Sequence, residues 1–202
     1  QAAWRTDPAQ SGAGGAIGDI GTHAYQLAHF MSGLDPVALS AELTSFVPGR
    51  RLDDNVQVNL RYAGGARGTL WASQVAPGNE NGLRIRIYGE KGGLEWAQEH
   101  PNQLKWSPLG EAPRIIARGA AGANASAARV TRVPSGHPEG YLEAFATIYT
   151  EVARAIRARQ AGAALPAEVE FPTIADGFAG MAFIEAAVAS SRDDGRWTTI
   201  AT

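Results

Sequence analysis

Asp19 and His23 stand four positions apart at the start of a segment that reads as a helix, so both side chains project from one face, about one turn apart. A carboxylate beside an imidazole can hold its orientation and favour its protonated form, which suits the pair to general acid–base work. The same spacing also fits an Asp that caps the helix and a His that bonds a neighbour. Just upstream runs Gly12-Ala13-Gly14-Gly15-Ala16-Ile17-Gly18, which invites comparison with a phosphate-cradling dinucleotide loop. The spacing fails, because Ile17 stands where the third glycine belongs, and Asp7-Pro8 and Gln10-Ser11 read as turn and loop rather than strand. Glycines here permit either a backbone turn packed closely into the helix start, or a substrate or flat ring laid against the backbone.

Other candidates are weaker in isolation. Trp4 and Arg5 precede a Pro turn, where they can stack on and hydrogen-bond a sugar-like ligand or fill a gap beneath a loop. His137 opens the run His137-Pro138-Glu139-Gly140-Tyr141, a position that equally suits a solvated cap. A metal centre would need a third ligand, and neither His29 nor His100 has a partner spacing with His23, so no metal is expected.

Three segments must position these groups. Asp19 to Ser32, stopped by Gly33, places Ile20, Ala24, Leu27 and Met31 on a core-facing stripe. Pro138 to Gln160, closed by Gly162, has Leu142, Phe145, Tyr149, Val152 and Ile156 as its buried face. Its early Glu139 and Glu143 and late Arg154, Arg157 and Arg159 complement the helix dipole. A third helix starts at Thr173, where Thr173 and Asp176 form a capping-box variant, and runs to Ser191. Between the first two, Val56, Val58, Leu60 and Tyr62 alternate with Asn55, Gln57, Asn59 and Arg61, the signature of a strand with one wet face. Ala63-Gly64-Gly65 turns it into a hairpin with 67–75, and further strands are expected at 39–47, 83–88, 94–97 and 103–107. Trp197 to Ile200 is read as a terminal strand able to return to the sheet, and 119–128 as a low-complexity surface loop. The strands follow one another without intervening helices. The expected fold is therefore α+β, a large open, mainly antiparallel sheet with helices on one face and no evident internal boundary.

Composition narrows the classes. The chain has 202 residues, 45% of them hydrophobic, enough to bury a core without disulfides or metal. It has no Cys, which removes thiolate sites and cysteine nucleophiles. With 18 basic and 20 acidic residues the net charge is −2, so no footprint for nucleic acid shows. The apolar runs fall short of the roughly 20 residues that span a bilayer. The first residues lack the layout of a secretion signal, so a cytoplasmic protein without membrane or nucleic-acid partners is expected. The chain does not begin with Met, which fits a start inside a longer gene product.

Three segments in order resemble one family. They are Gly14-Gly15-Ala16-Ile17-Gly18-Asp19-Ile20-Gly21-Thr22-His23, Tyr88-Gly89-Glu90-Lys91-Gly92-Gly93-Leu94-Glu95-Trp96 and His137-Pro138-Glu139-Gly140-Tyr141-Leu142-Glu143-Ala144-Phe145. Together they resemble the C-terminal domain of the Gfo/Idh/MocA nicotinamide-dependent oxidoreductases, in particular the branches similar to levoglucosan dehydrogenase and glucoside 3-dehydrogenase. The resemblance implies that residues 1–202 form a substrate-binding and oligomerisation domain, with a Rossmann domain binding NAD or NADP upstream of residue 1. It implies oxidation of a secondary hydroxyl of a pyranose-type sugar or polyol, with hydride passing to the cofactor and the proton to His23, oriented by Asp19. A lysine of the upstream domain would complete the set. By the same resemblance Trp4, Arg5 and His137 line the substrate pocket, and Gly15 and Gly18 give the nicotinamide close approach. It further implies a homodimer or homotetramer through the sheet face, and a chain that is inactive alone. The alternative is a non-catalytic dimerising or ligand-binding relative of the same fold.

Overall fold

The structure is a computed structural model that describes residues 3–121 and 123–201; Gly122, in the expected surface loop, lies outside the described residues. In chain order the elements are α1 (Pro8–Ser11), a π-helical turn (Ile17–Gly21) running into α2 (Thr22–Ser32), β1 (Pro36–Thr44), β2 (Asn55–Tyr62), β3 (Arg67–Ser73), β4 (Arg84–Gly89), β5 (Gly92–Ala97), β6 (Gln103–Pro108), β7 (Arg114–Ala117), α3 (Ala125–Val130), α4 (Tyr141–Gln160), α5 (Ile174–Arg192) and β8 (Thr198–Thr199). The class is α+β and all strand pairing is antiparallel, as expected, but the strands divide between two four-stranded sheets. The chain correspondingly separates into two compact units, residues 1–80 with 173–202, and residues 81–172. The strands expected to follow one another in a sheet thus lie in two sheets, one in each unit.

The first unit is built on the strand order β3-β2-β1-β8. Alternation along β2 works as the sequence demands: Val56, Val58 and Leu60 are buried while Gln57, Asn59 and Arg61 face solvent. Those valines share a core with Leu39, Ala41, Leu70 and, from α5, Phe183, Ala187 and Val188. The Phe183 ring stacks on Tyr25 of α2 with centroids 4.6 Å apart. By length and composition α5 could cross a membrane, but Ala182, Phe183, Ile184 and the run 186–188 are buried in this core. Ser190, also fully buried, accepts the Ala41 amide at 2.9 Å and donates to the Arg196 carbonyl at 2.7 Å. The short β8 does return to the sheet, pairing with Ala38 and Leu39. The buried face of the first helix is displaced from the expected stripe: Ile17, Gly21 and Tyr25 are buried, whereas Met31 is exposed. A π turn inserts a residue relative to α-helical register, so the inward face recurs every four positions through this turn.

The box at Thr173 forms, with its amide and hydroxyl donating to Asp176 Oδ2 at 2.6 and 2.8 Å. These bonds hold the Asp176 carboxyl below the usual carboxylate range. A lowered native pKa makes this stabilisation present above the unfolded-state pKa and lost as pH falls through the native one. Asp176→Ala is therefore expected to lower the thermal midpoint at pH 7. The gap to the parent closes as the pH falls below the carboxylate range, which a pH series of melts would read.

The second unit carries the meander β4-β5-β6-β7. Gly92, at φ 149°, must be glycine, because a Cβ there would drive into the Ser107 carbonyl of the paired strand. Buried Glu139 accepts the amides of Arg132 and Val133 and the Arg118 guanidinium at 2.7 Å. Buried Glu151 of α4 is met by Arg129 at 2.7 Å and by the Glu170 amide. Arg132 reaches the hydroxyls of Thr147 and Thr150 on the same helix. The polar face of α4 is thus the one its own unit grips. The stripe expected to be buried is instead largely exposed, with Leu142 at 76% and Tyr149 at 70%. α3 occupies part of the segment read as a loop, its start capped by Asn124 Oδ1 on the Ala127 amide.

Candidate functional site

The site begins with how the helix start is held. Four N–H groups at a helix N-terminus lack intrahelical partners. Here three amides at the helix start, those of Gly15, Ala16 and Ile17, are met by a residue from the connection between β1 and β2. Asp53, nearly buried, accepts the Gly15 amide at 2.6 Å on one carboxylate oxygen and the Ile17 amide at 2.8 Å on the other. Its carbonyl takes the Ala16 amide at 2.9 Å. The approach is so close that a Cβ on Gly15 would collide with the Asp53 carbonyl and press on Leu52. The Cβ side of Gly15 therefore faces the protein's own backbone. Gly18 remains open: a Cβ there would meet nothing within 4 Å.

From this anchor the chain runs through the π turn, closed by the Thr22 amide on the Ile17 carbonyl. Turns of this kind recur at functional sites because the inserted residue re-aims the side chains that follow. Ile17 is wholly buried, while Asp19 and His23 are both exposed. Thr22, between them, turns its hydroxyl back onto the Gly18 carbonyl at 2.8 Å. The two candidate catalytic groups therefore stand one turn apart on a firmly held helix start, open to solvent.

No hydrogen bond or ion pair joins Asp19 to His23 among the described residues; the carboxylate is engaged from the other side. Gln74 Nε2 donates to Asp19 Oδ2 at 3.3 Å, and Arg5 Nη1 lies 3.9 Å from Oδ1. Arg5 also sits over the Trp4 ring, 5.5 Å from its centroid, and both side chains are exposed. Trp4, Arg5, Asp19 and Gln74 thus form one connected cluster beside the helix start. His137 belongs to the second unit, where its imidazole is exposed and its carbonyl accepts Arg118 Nη2 at 2.7 Å.

Two open depressions lie elsewhere. One of about 480 Å³ is lined by residues 89–94 and Trp106, and one of about 430 Å³ by Thr6, Asp7 and residues 47–51. Neither is lined by Asp19 or His23. Sequence reasoning missed Asp53 and Gln74. Both look like ordinary polar loop residues, and the groups they meet at the helix start lie 36 to 55 positions away. The one local signal was the acidic pair Asp53-Asp54, placed between two apolar strands.

Comparison with known proteins gives the site a context. Residues 1–95 match a family model described as the GFO/IDH/MocA C-terminal domain. The chain is 34% identical over 197 residues to an uncharacterized oxidoreductase, YfiI, from Bacillus subtilis, covering 96% of this chain and 50% of that protein. The crystal structure of an oxidoreductase from Sinorhizobium meliloti is 55% identical with a TM-score of 0.87, over 90% of this chain and 51% of that one. An inositol dehydrogenase homolog from Azotobacter vinelandii, complexed with NADH and myo-inositol, is 35% identical with a TM-score of 0.90, over 97% of this chain and 51% of that one. The chain spans about half the length of these relatives.

Proposed function

The chain belongs to the GFO/IDH/MocA C-terminal domain family, and on that premise we propose that it is the substrate-binding half of an NAD(P)-dependent dehydrogenase. In this reading the enzyme oxidises a secondary ring hydroxyl of a pyranose-type sugar or cyclic polyol. The observation that carries it is the exposure of Asp19 and His23 together at the pinned helix start. A His buried among core side chains could not have reached a substrate.

Oxidising a secondary alcohol requires loss of the hydroxyl proton as hydride leaves the same carbon. His23 accepts that proton at an imidazole nitrogen, with Asp19 one turn back on the same exposed helix start. Trp4 offers an exposed ring for the apolar face of a sugar, and Arg5 offers donors to its oxygens. The substrate role proposed for His137 rests on the resemblance of its segment alone. A nicotinamide, bound mainly by a Rossmann domain outside this chain, supplies the hydride acceptor, and the open Cα of Gly18 leaves room for a flat ring. The 202-residue chain is accordingly inactive by itself. The full enzyme is cytoplasmic, and exposed strand residues such as Trp71 and Ile115 serve its self-association.

The test follows reduced-nicotinamide absorbance with NAD⁺ and NADP⁺ over pyranoses, anhydrosugars, glucosides and inositols, using the full-length gene product. Turnover of a ring polyol is expected. A folded protein that binds nicotinamide but oxidises none of the panel would move the reading to another substrate class. One that binds no nicotinamide would favour a non-catalytic relative.

A further inference from the structure

A polar chain that the proposed chemistry does not use leads from the interior of the first unit to Asp19. Its root is Asp54, wholly buried, whose carboxylate oxygens accept the Phe46 and Val47 amides at 2.9 Å each. Arg50, with only 16% of its side chain exposed, places Nη1 3.8 Å from Asp54 Oδ2 and donates to Gln74 Oε1 at 2.9 Å. Gln74 is fixed at its backbone as well, its amide donating to the Asp54 carbonyl at 2.7 Å. Its side-chain NH2 then donates to Asp19 Oδ2.

The order of these contacts decides which way the amide points. A guanidinium has five donors and no acceptor, so Gln74 must give Arg50 its carbonyl oxygen. The NH2 is left facing Asp19. A Gln side chain with an unconstrained amide could rotate and offer either end; this one cannot without opposing two donors at Arg50. It also meets the carboxylate without adding charge, so Asp19 keeps its negative field for the neighbouring imidazole. Arg5, at 3.9 Å and half exposed, is too far for a hydrogen bond and is screened by solvent.

We propose that Gln74, oriented by Arg50 and the buried Asp54, is a positioning residue that sets the direction of the Asp19 carboxylate at the site. The inference rests on the dehydrogenase reading for its consequence but not for its contact. It predicts that Asp19 is aimed by the loops after β1 and β3 rather than by its own helix. Displacing a group that must act in one geometry costs roughly 10- to 100-fold in rate.

The test uses the full-length gene product with a polyol that it oxidises. Gln74→Glu keeps an acceptor for Arg50, so the fold anchor survives, and puts an acceptor where Asp19 needs a donor. The expected result is a fall in kcat of about tenfold or more, KM within about twofold, and a displaced pH–rate profile. Neither rate nor profile changes further when Gln74→Glu is added to Asp19→Asn. A Gln74→Glu enzyme with the parental kcat and pH profile overturns the proposal. So does an equal loss in the Asp19→Asn background, which marks a general disturbance. Failure of the dehydrogenase reading looks different: no polyol is oxidised by the parent, while the Gln74–Asp19 contact is still read by the resonance below. A readout independent of turnover is the Gln74 side-chain amide resonance, which must shift on Asp19→Asn. An unmoved resonance removes the contact and the proposal with it.

Discussion

His23→Asn should lower kcat of the full-length enzyme by about 10²- to 10⁴-fold, the usual worth of a positioned acid–base group. Asn preserves a short polar side chain with donor and acceptor, but cannot take up a proton near neutral pH. The site is exposed, so the change should leave stability within about 0.5 kcal/mol of the parent. That separation makes the experiment decisive. Steady-state nicotinamide absorbance and a thermal melt on the same preparation must disagree, with rate collapsing and the midpoint holding. A variant that keeps more than about a tenth of the parental kcat would sink the assignment of His23 as proton acceptor.

Asp53→Ala should be the most damaging single truncation for folding. It removes the acceptor of two amides, those of Gly15 and Ile17, both in buried residues that water cannot reach. An unsatisfied buried donor costs about 1–3 kcal/mol, so the pair costs about 2–6 kcal/mol together. Asp53→Asn should fall between, since a carboxamide offers one acceptor oxygen where the carboxylate offers two. Urea unfolding of the three proteins would give the ordering Asp, Asn, Ala from most to least stable. An alanine variant within about 0.5 kcal/mol of the parent would show that Asp53 is not the anchor of the helix start. Gly15→Ala reaches the same junction from the other side, by forcing a methyl into the Asp53 carbonyl.

These two residues also mark the boundary of what the sequence makes readable. His23 and Asp19 were legible because their relation is local, four positions along one helix. The β2–β3 hairpin was legible because alternation fixes which side chains turn inward, and β2 occupies the expected 55–62. Asp53 was not, because a carboxylate that caps a helix 36 positions away leaves the same local pattern as one that faces water. Gln74 was hidden similarly: its significance lies in which end of its amide faces which partner, a property of three segments at once. The π turn has no periodicity of its own to betray it, so the inward face of α2 was assigned to Leu27 and Met31 rather than Tyr25. The stripe on α4 was recognised as apolar but assigned to the interior. Pattern identifies a face that avoids water, and the hydrogen bonds of Arg129 to Glu151 and of Arg132 to Thr147 and Thr150 on the opposite face decide what its own unit covers.

The route of the chain has a consequence for its synthesis. The strands that hold Leu39 and Val56 are complete by residue 73, but Phe183, which shares their core, belongs to a helix that begins at 174. Everything from 81 to 172 is contiguous and can finish its meander as it leaves the ribosome. The earlier sheet must wait with its oily face uncovered while roughly a hundred more residues are made, which takes about 5–20 s at ordinary translation speeds. Nascent chains stalled within that window should attract holding chaperones, whereas chains extended past α5 should release them.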